Sequence, residues 1–314
     1  MLKTSRNPVH IIGYGYLGAK LLKALKDRKL APPEQIFTIS RSSAEHQGHG
    51  ISWDLDSDYS APENYSVEQA IIFYFVPPPR SGQLDLKAQN YINELIRQQK
   101  KPQKIVLIST TGVYGDCQGQ WIDEHSPVKP AVDRARRRVD AEQQFQNYCQ
   151  SNNTPLVILR VSGIYAADKL PLKRIQAQTP VVREQDSPYS NRIHADDLLE
   201  ICLIAGLKAE LTGIYNCSDG HPTTMYDYFI QVARACGLAE PPSISLQQAR
   251  TELSSGMLSY MGESRRINNN KLLADFKITL QFPNLEQGLA ATKLNSVHPE
   301  IAFLAIYRNA KEKV

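Results

Sequence analysis

The stretch Val9-His10-Ile11-Ile12-Gly13-Tyr14-Gly15-Tyr16-Leu17-Gly18 joins a short apolar run to an amphipathic segment through three spaced glycines. The apolar run is rich in β-branched residues, which predicts a buried strand. Leu17, Leu21 and Leu25 recur at helical spacing, so a helix is expected directly after the glycines. A strand, a glycine turn and a helix in this order indicate a site for phosphate groups at the helix N-terminus.

The three glycines match the G-x-G-x-x-G pattern. The absence of side chains suits a tight turn at Gly13, close approach of a pyrophosphate at Gly15, and packing of helix on strand at Gly18. An ordinary glycine-rich turn is the alternative, but strand, turn and helix agree in position. We therefore predict a nicotinamide dinucleotide site that includes Gly13, Tyr14, Gly15, Tyr16, Leu17 and Gly18.

Short β-branched runs alternate with amphipathic stretches along the first half of the chain, as in successive βαβ units. Tyr91, Leu95 and Ile96, for example, mark a helix ahead of the fourth run. The alternation predicts an α/β fold, a doubly wound parallel sheet of the Rossmann type. The predicted strands are Val9 to Ile12, Gln35 to Ser40, Ala70 to Val76, Lys104 to Ser109 and Leu156 to Val161.

The pattern changes after Tyr165, because residues 166–190 are polar with scattered prolines. Ligands of such sheets bind at the carboxyl ends of the strands, so we expect a substrate cleft between the sheet and a cap. Further predicted elements are a strand at Arg192 to His194, a helix at Asp197 to Leu207 and a strand at Gly213 to Cys217. The predicted division is a Rossmann domain of 1–165 plus 192–219 and a smaller, discontinuous, substrate-binding cap of 166–191 plus 220–314.

The composition argues against several classes of protein. The 36 basic and 32 acidic residues are spread along the 314-residue chain, so the net charge of +4 does not indicate a nucleic-acid partner. The five cysteines contain no C-x-x-C pair, which predicts reduced thiols and no metal site. Since no signal-peptide or membrane-spanning pattern is present, we expect a cytoplasmic protein with no membrane partner. Its expected partner is a small-molecule substrate, and the sequence leaves open whether the chain forms a homodimer.

The end of the second predicted strand indicates which dinucleotide is bound. An NAD site usually has an acid here for the ribose diol, but this chain has Thr38-Ile39-Ser40-Arg41-Ser42-Ser43. Arg41 offers a fork of donors to a 2′-phosphate and Ser40 adds a hydroxyl, which favours NADP over NAD, with a solvated arginine as the alternative. Asp54 either accepts a hydrogen bond from the adenine amine or caps a turn. Pro77 begins a proline loop that is expected to line the cofactor groove.

Further motifs extend over nearly the whole chain. Together with the glycine turn, they resemble an atypical member of the extended short-chain dehydrogenases/reductases, in the NAD-dependent epimerase/dehydratase group. The resemblance implies a cofactor-dependent reaction at the carboxyl edge of the sheet. The motifs that carry it are Ser109-Thr110-Thr111-Gly112-Val113-Tyr114-Gly115, Asp123-Glu124 with Pro127, Leu159-Arg160, Ile164-Tyr165, His194 with Asp196-Asp197, and Gly213-Ile214-Tyr215-Asn216 with Ser218-Asp219.

The resemblance implies a Ser or Thr facing the nicotinamide at the end of the fourth strand, where Thr110 stands; a threonine that satisfies the backbone there is the alternative. It also implies Tyr-x-x-x-Lys on one face of the next helix. When the chain is registered on Glu142, which follows the family's lysine by four residues, Arg134 takes the tyrosine position and Arg138 the lysine position. Arginine stays protonated near neutral pH, so Arg134 cannot be the acid/base, whereas Arg138 is expected to hold the cofactor's ribose.

Arg134, Arg137 and Arg138 share one face of the predicted helix, whereas Arg136 points elsewhere. A solvated face is one interpretation of this charge cluster. An inward face beside the cleft is the other, and it would suit an anionic substrate or the phosphates of the cofactor.

The resemblance also implies an arginine four residues before His194 that helps to hold a pyrophosphate. Ser190 stands there, and Arg192 is the candidate substitute because two residues along a strand point to the same side. A structural role for Arg192 is the alternative. The predicted substrate contacts are Arg134, Tyr165 and Arg192. The candidate proton carriers, which no motif supports, are Asp116, His125 and Tyr165.

Two functional hypotheses remain. The first is an NAD(P)-binding epimerase/dehydratase- or reductase-like protein that acts on a small polar substrate, sugar- or nucleotide-linked. The second is a catalytically silent NADPH-binding module that senses the cofactor or scaffolds a partner. Thr110 and the cap favour the first, and the replaced tyrosine favours the second.

Overall fold

A parallel sheet of seven strands forms the centre of the computed structural model, which describes residues 2–41, 49–57, 60–63, 65–253, 258 and 261–291. Every strand is hydrogen-bonded in parallel to its neighbours. The predicted doubly wound α/β fold is therefore confirmed. From one edge to the other the strands are β12 (Gly213–Cys217), β7 (Leu156–Val161), β5 (Lys104–Thr110), β4 (Ile71–Tyr74), β1 (Val9–Ile12), β2 (Ile36–Ser40) and β3 (His49–Ser52).

Helices cover both faces of this sheet. Those of the described residues are α1 (Tyr16–Asp27), α2 (Leu86–Gln98), α3 (Asp133–Asn152), α4 (Leu172–Gln176), α5 (Ala195–Leu207), α6 (Met225–Ala235), α7 (Leu246–Glu252), α8 (Asn270–Phe276) and α9 (Leu285–Ala291). One buried cluster packs α1, α5 and α8 against the sheet, and another packs α2 and α3 against the opposite face. Among the helices of the described residues, none has the length and apolar character needed to cross a membrane.

Four pairs of short strands lie beside the main sheet. They matter for the site because two of them bring distant loops to the carboxyl edge of the sheet. The pairs are β8 (Gly163–Tyr165) with β11 (Arg192–His194), β10 (Tyr189–Ser190) with β13 (Thr223–Thr224), β9 (Val181–Val182) with β14 (Ser243–Ile244), and β6 (Trp121–Ile122) with β15 (Arg266–Ile267).

The element boundaries differ slightly from those predicted. The second strand begins at Ile36 because Pro33–Gln35 forms a 3-10 turn. The third predicted strand shortens to β4, and α5 begins two residues early because the His194 side chain caps its N-terminus. The edge strand β3 was not predicted, since its short sequence His49–Ser52 carries one buried residue.

The buried clusters also divide the chain differently from the predicted domains at two places. Leu272 and Phe276 of α8 belong to the core of the main sheet, although 220–314 was assigned to the cap. Tyr165 belongs to the smaller core, with Phe229 of α6 and Leu289 of α9, although it was assigned to the Rossmann domain. In the C-terminal part of the chain, α8 therefore packs against the main sheet, and α9 then packs in the smaller core.

Candidate active site

The glycine turn after β1 has the geometry of a phosphate-binding turn. Gly13 has a φ of +91°, and a Cβ there would lie 2.7 Å from the backbone nitrogen of Val76, so this position requires glycine. At Gly18 a Cβ would lie 3.1 Å from Ile11 Cγ2, which keeps α1 close to the sheet. Gly15 differs from both, because no atom of the described residues other than its chain neighbours lies within 4 Å of the place where its Cβ would stand. Its missing side chain leaves open space for a ligand.

A first cavity of about 260 Å³ opens beside this turn, and the residues at the ends of β2 and β4 line it. Four residues predicted for the cofactor site, Ser40, Arg41, Asp54 and Pro77, line it together with Gly13, Tyr14 and Gly15. Arg41 is exposed at its rim, while Ser42 and Ser43 lie outside the described residues. The cavity lies at the carboxyl ends of β1, β2 and β4, where ligands of such sheets bind.

Asp54 has the turn-capping role that was one of its two interpretations, and its contact with adenine stays a prediction. Its carboxylate accepts a hydrogen bond from the backbone nitrogen of Asp56 at 3.1 Å, which is the turn-capping role, and it also lines the first cavity. Lys87, which sequence reasoning missed, lines the same cavity and lies 3.0 Å from Asp56 in an ion pair. Nothing in its sequence context distinguishes this lysine from any other at the start of a helix.

Three members of the predicted turn, Tyr16, Leu17 and Gly18, do not line the cavity. The hydroxyl of Tyr16 donates to Asp168 at 3.0 Å, and Lys169 lies 3.9 Å above its ring, so this side chain binds the start of the cap. Leu17 packs against the main core. Because α1 directs the side chains of Tyr16 and Leu17 away from the cavity, only the backbone of these two residues can contact a dinucleotide there.

A second cavity of about 370 Å³ lies at the ends of β5 and β7, and the loop that starts at Pro77 separates it from the first. Thr110 lines it, and the Oγ1 of this residue accepts from the backbone nitrogen of Gly112 at 3.2 Å. The bond to the backbone, which was the alternative for Thr110, is therefore confirmed, and its contact with a nicotinamide stays a prediction. The cavity is also lined by Pro78, Thr111, Gly112, Val132, Arg134, Ala135, Arg138, Ser162, Gly163, Tyr189, Ser190, Asn191, Arg192, Met225, Glu263 and Arg265.

A buried ion pair fixes the helix that supplies two of these arginines. Glu142 of α3 lies 2.7 Å from the guanidinium of Arg160 on β7, and both side chains are about 5% exposed. Ser109 of β5 donates to the same carboxylate, and Arg160 donates to the hydroxyl of Tyr114 at 3.0 Å. Because these contacts hold α3 against two strands, Arg134 of the same helix is directed to the cavity.

The arginine cluster of α3 has the inward face that was one of its two interpretations. Arg138 donates to the carbonyl of Val76 at 3.0 Å, its Nη1 lies 4.0 Å from Asp85, and burial lowers its pKa. Arg137 is buried and donates to the carbonyl of Gly82. Hydrogen bonds from α3 to Val76 and to Gly82 thus hold the proline loop between the two cavities at both of its ends.

Arg136, in contrast, points away from the cavity. Its guanidinium lies 2.6 Å from Asp133, and both side chains are about half exposed. The predicted difference between Arg136 and its three neighbours is therefore confirmed.

Arg192 lines the second cavity from the cap side, next to the loop that carries Glu263 and Arg265. Its guanidinium lies 4.0 Å from the ring centre of Tyr228 and donates to the backbone oxygen of Asn191 at 3.3 Å. Glu263 and Arg265 form an ion pair of 2.8 Å. Sequence reasoning missed this pair because it follows no recognisable motif.

Tyr165 is a correction to the predicted substrate contacts. It is fully buried in the smaller core, its ring packs edge-on against His194 at 5.1 Å, and its hydroxyl donates to the backbone of Asn284 at 3.3 Å. The tyrosine cannot reach a ligand because the cap core surrounds it. His194 accepts from the backbone nitrogen of Asp196 at 3.2 Å, which is a structural role.

The other candidate proton carriers also lie away from the cavity. Asp116 accepts from the backbone of Ser264 at 2.8 Å, and the backbone of His125 is held in an exposed turn by Asp123. Among the described residues, Tyr189 supplies the one phenol that lines the cavity. It lies in the two-residue strand β10, where no spacing pattern marks it.

Comparison with known proteins shows what this chain is similar to. Residues 81–218 match the model of the NAD dependent epimerase/dehydratase family. Protein YeeZ of Escherichia coli strain K12 is 27% identical over 286 residues, which cover 88% of this chain and 96% of YeeZ.

Two solved structures are similar over almost their full length. A functionally unknown conserved protein from Silicibacter pomeroyi DSS has a TM-score of 0.73 and 24% identity, covering 93% of this chain and 99% of its own. The UDP-glucose 4-epimerase of Thermus thermophilus, in complex with NAD, has a TM-score of 0.68 and 18% identity, covering 91% and 97%. At these identities the structures support the fold, and the family match agrees with it. The chain therefore shares this fold, and its residues 81–218 are similar to the NAD dependent epimerase/dehydratase family.

Proposed function

We propose that the protein binds a nicotinamide dinucleotide across its two cavities and uses it on a small polar substrate, sugar- or nucleotide-linked. The observation that carries the proposal is the open space at Gly15, at the N-terminus of α1 and on the wall of the first cavity. Helix N-termini bind phosphate through unpaired N–H groups and the helix dipole. The epimerase from Thermus thermophilus, which shares the fold, is in complex with NAD.

The residues present fit such a cofactor from end to end. Ser40, Arg41 and Asp54 would hold the adenosine half, the turn at Gly15 the pyrophosphate, and the second cavity the nicotinamide half, near Thr110. When bound, the nicotinamide supplies the capacity to accept or donate a hydride. The exposed guanidinium of Arg41 would pair with a 2′-phosphate, which favours NADP over NAD.

Arg138 would hold the ribose hydroxyls, since its Nη1 is buried without a hydrogen-bond acceptor among the described residues. Arg134 stands at the position of the family's tyrosine and keeps its proton near neutral pH. Proton transfer at the substrate then depends on another group, and Tyr189 is the cavity's candidate. A reaction without a well-placed acid/base loses about 10²–10⁴ in rate.

The open space at Gly15 also favours a second function, a catalytically silent module that binds NADPH to sense it or to scaffold a partner. Such a module needs the glycine turn and the first cavity, and it does not need a proton carrier beside Thr110. The two functions share cofactor binding and differ in turnover.

Calorimetric titration with NADPH, NADH and their oxidised forms tests the shared part, and stopped-flow absorbance of NADPH oxidation over a substrate panel tests turnover. We expect micromolar or tighter binding of NADPH. Absence of binding by all four nucleotides would contradict both functions, whereas binding without turnover on any substrate would support the silent module.

A further inference from the structure

Asp85, the residue that precedes α2, has one carboxylate oxygen with a structural role and one without. Its Oδ1 accepts from the backbone nitrogen of Ala88 at 3.1 Å, which caps the N-terminus of the helix. Its Oδ2 is buried and has no hydrogen-bond donor among the described residues. Buried polar atoms are normally hydrogen-bonded or paired with a charge, so this second oxygen indicates a further role.

The second oxygen of Asp85 faces Arg138 of α3. The Nη1 of Arg138 lies 4.0 Å from it, and the two side chains are only 1% and 11% exposed. Charged hydrogen bonds measure about 2.7–2.9 Å, so at 4.0 Å the carboxylate attracts the guanidinium and leaves the protons of Nη1 unused. Burial lowers the pKa of Arg138, and the charge of Asp85 opposes that effect more strongly than the charge of Glu142 does. Asp85 is thus the main electrostatic partner of this arginine.

The helix that carries Arg138 also holds the backbone of Asp85 in place. Asp140 of α3 accepts from the Asp85 nitrogen at 2.7 Å, and Gln144 donates to the Asp85 carbonyl at 3.4 Å. On its other side, the guanidinium of Arg138 donates through Nη2 to the carbonyl of Val76 at 3.0 Å. The arginine is therefore oriented from two directions at the wall of the second cavity, and its Nη1 keeps donors for a ligand.

We propose that Asp85 is a positioning residue of the cofactor site, whose charge orients Arg138 toward the ribose next to the nicotinamide. The inference rests on the proposed function, because it takes the dinucleotide to lie across the two cavities. A carboxylate in direct hydrogen-bonding contact would compete with the ribose for Nη1. Without the carboxylate, a buried cation would lose its compensating charge and turn toward water, which would weaken its contact with the ribose.

Asp85→Asn separates this role from helix capping. Asparagine caps a helix N-terminus about as well as aspartate does, but it removes the charge that faces Arg138. Calorimetric titration compares NADPH with 2′,5′-ADP, which contains the adenosine half of the cofactor and lacks the second ribose. If the native protein prefers NADH, the ligands are NADH and ADP. We expect the variant to bind the whole dinucleotide roughly 10-fold more weakly and the adenosine fragment as the native protein does.

Two further variants show whether Asp85 acts through Arg138. Asp140→Asn is the matched control, since it makes the same change beside Asp85, and no ion pair joins Asp140 to Arg138 in the part of the chain that the structure describes. It should leave both affinities unchanged. Arg138→Gln completes a double-mutant cycle, and in that background Asp85→Asn should cause no further loss of dinucleotide affinity.

Several outcomes would overturn the inference: unchanged or tighter dinucleotide binding in Asp85→Asn, an equal loss for the adenosine fragment, an equal loss in Asp140→Asn, or additive losses in the cycle. Failure of the proposed function is distinguishable from all of these, because the native protein would then bind neither the dinucleotide nor the fragment. If Asp85→Asn does not fold, Asp85→Ser takes its place, since serine also caps a helix and carries no charge.

Discussion

Replacing Gly15 with valine should abolish dinucleotide binding and leave the fold nearly intact. The backbone of Gly15 has a φ of −112°, which any residue can adopt, and a Cβ there would meet no atom of the described residues other than its chain neighbours within 4 Å. The remaining cost is the weaker N-cap preference of valine, about 1 kcal/mol. The branched side chain would fill the space where the pyrophosphate approaches the backbone.

The loss of affinity follows from the contacts that are displaced. Hydrogen bonds to a charged group contribute about 1.5–3 kcal/mol each, so losing two of them costs roughly 3–6 kcal/mol. Since 1.4 kcal/mol corresponds to a tenfold change, binding should weaken by more than about 100-fold. Calorimetric titration with NADPH measures this, and urea denaturation measures the stability of the same variant.

Gly13→Ala provides the contrast. A positive φ costs a non-glycine residue about 1–2 kcal/mol, and a Cβ placed 2.7 Å from the Val76 nitrogen forces a shift that costs about 1–3 kcal/mol more. This variant should therefore lose stability where Gly15→Val loses binding. A folded Gly15→Val protein that binds NADPH within a few-fold of the native affinity would refute the assigned role of the turn.

Three further predictions concern specificity, chemistry and pH. Arg41→Ala should remove any preference for NADPH over NADH in paired titrations, and an unchanged preference would refute the role of this side chain. Oxidation of NADPH by neutral carbonyl substrates, measured by stopped-flow absorbance, should be very slow. The double change Arg134→Tyr with Arg138→Lys should raise the rate, and adding Thr110→Ala should remove that gain. Rapid turnover by the native protein would show that another residue already carries the proton. Burial lowers the pKa of His10 to about 3, so the unfolded chain binds its proton more readily and stability falls as the pH decreases from about 6.5 toward 3. In His10→Phe this dependence, measured by urea denaturation at several pH values, should be less steep by up to about 1.4 kcal/mol per pH unit, and identical slopes would contradict it.

Local sequence predicted the glycine turn well, because such a turn is specified by residues adjacent in the chain. Gly13 lies in the tight turn and Gly18 packs the helix on the strand as expected, and the first cavity opens beside Gly13 and Gly15. The helical period likewise separated Arg136 from Arg134, since four residues of a helix fix which side chains share a face. Contacts within one element need no knowledge of the tertiary structure.

The substrate half depended on contacts between distant segments, which the sequence alone did not reveal. Glu263 and Arg265 reach the cavity because β15 pairs with β6, about 145 residues earlier in the chain. Tyr189 reaches it from β10, a strand of two residues, which is too short for a period to predict the direction of its side chain. Tyr165 shows the reverse error, because its motif suggested the site while the packing of the cap buries it completely.

Energy transfer from Trp53 to a bound reduced nicotinamide tests the central claim most directly, in a Trp121→Phe protein. The chain has two tryptophans, so Trp53 is then the sole donor, and it is buried at the wall of the first cavity. Adding NADPH should quench its emission and produce sensitised nicotinamide emission. An excess of NADP should reverse both effects, and Gly15→Val should remove them. Unchanged tryptophan emission at saturating NADPH would contradict the claim that the dinucleotide lies across these two cavities.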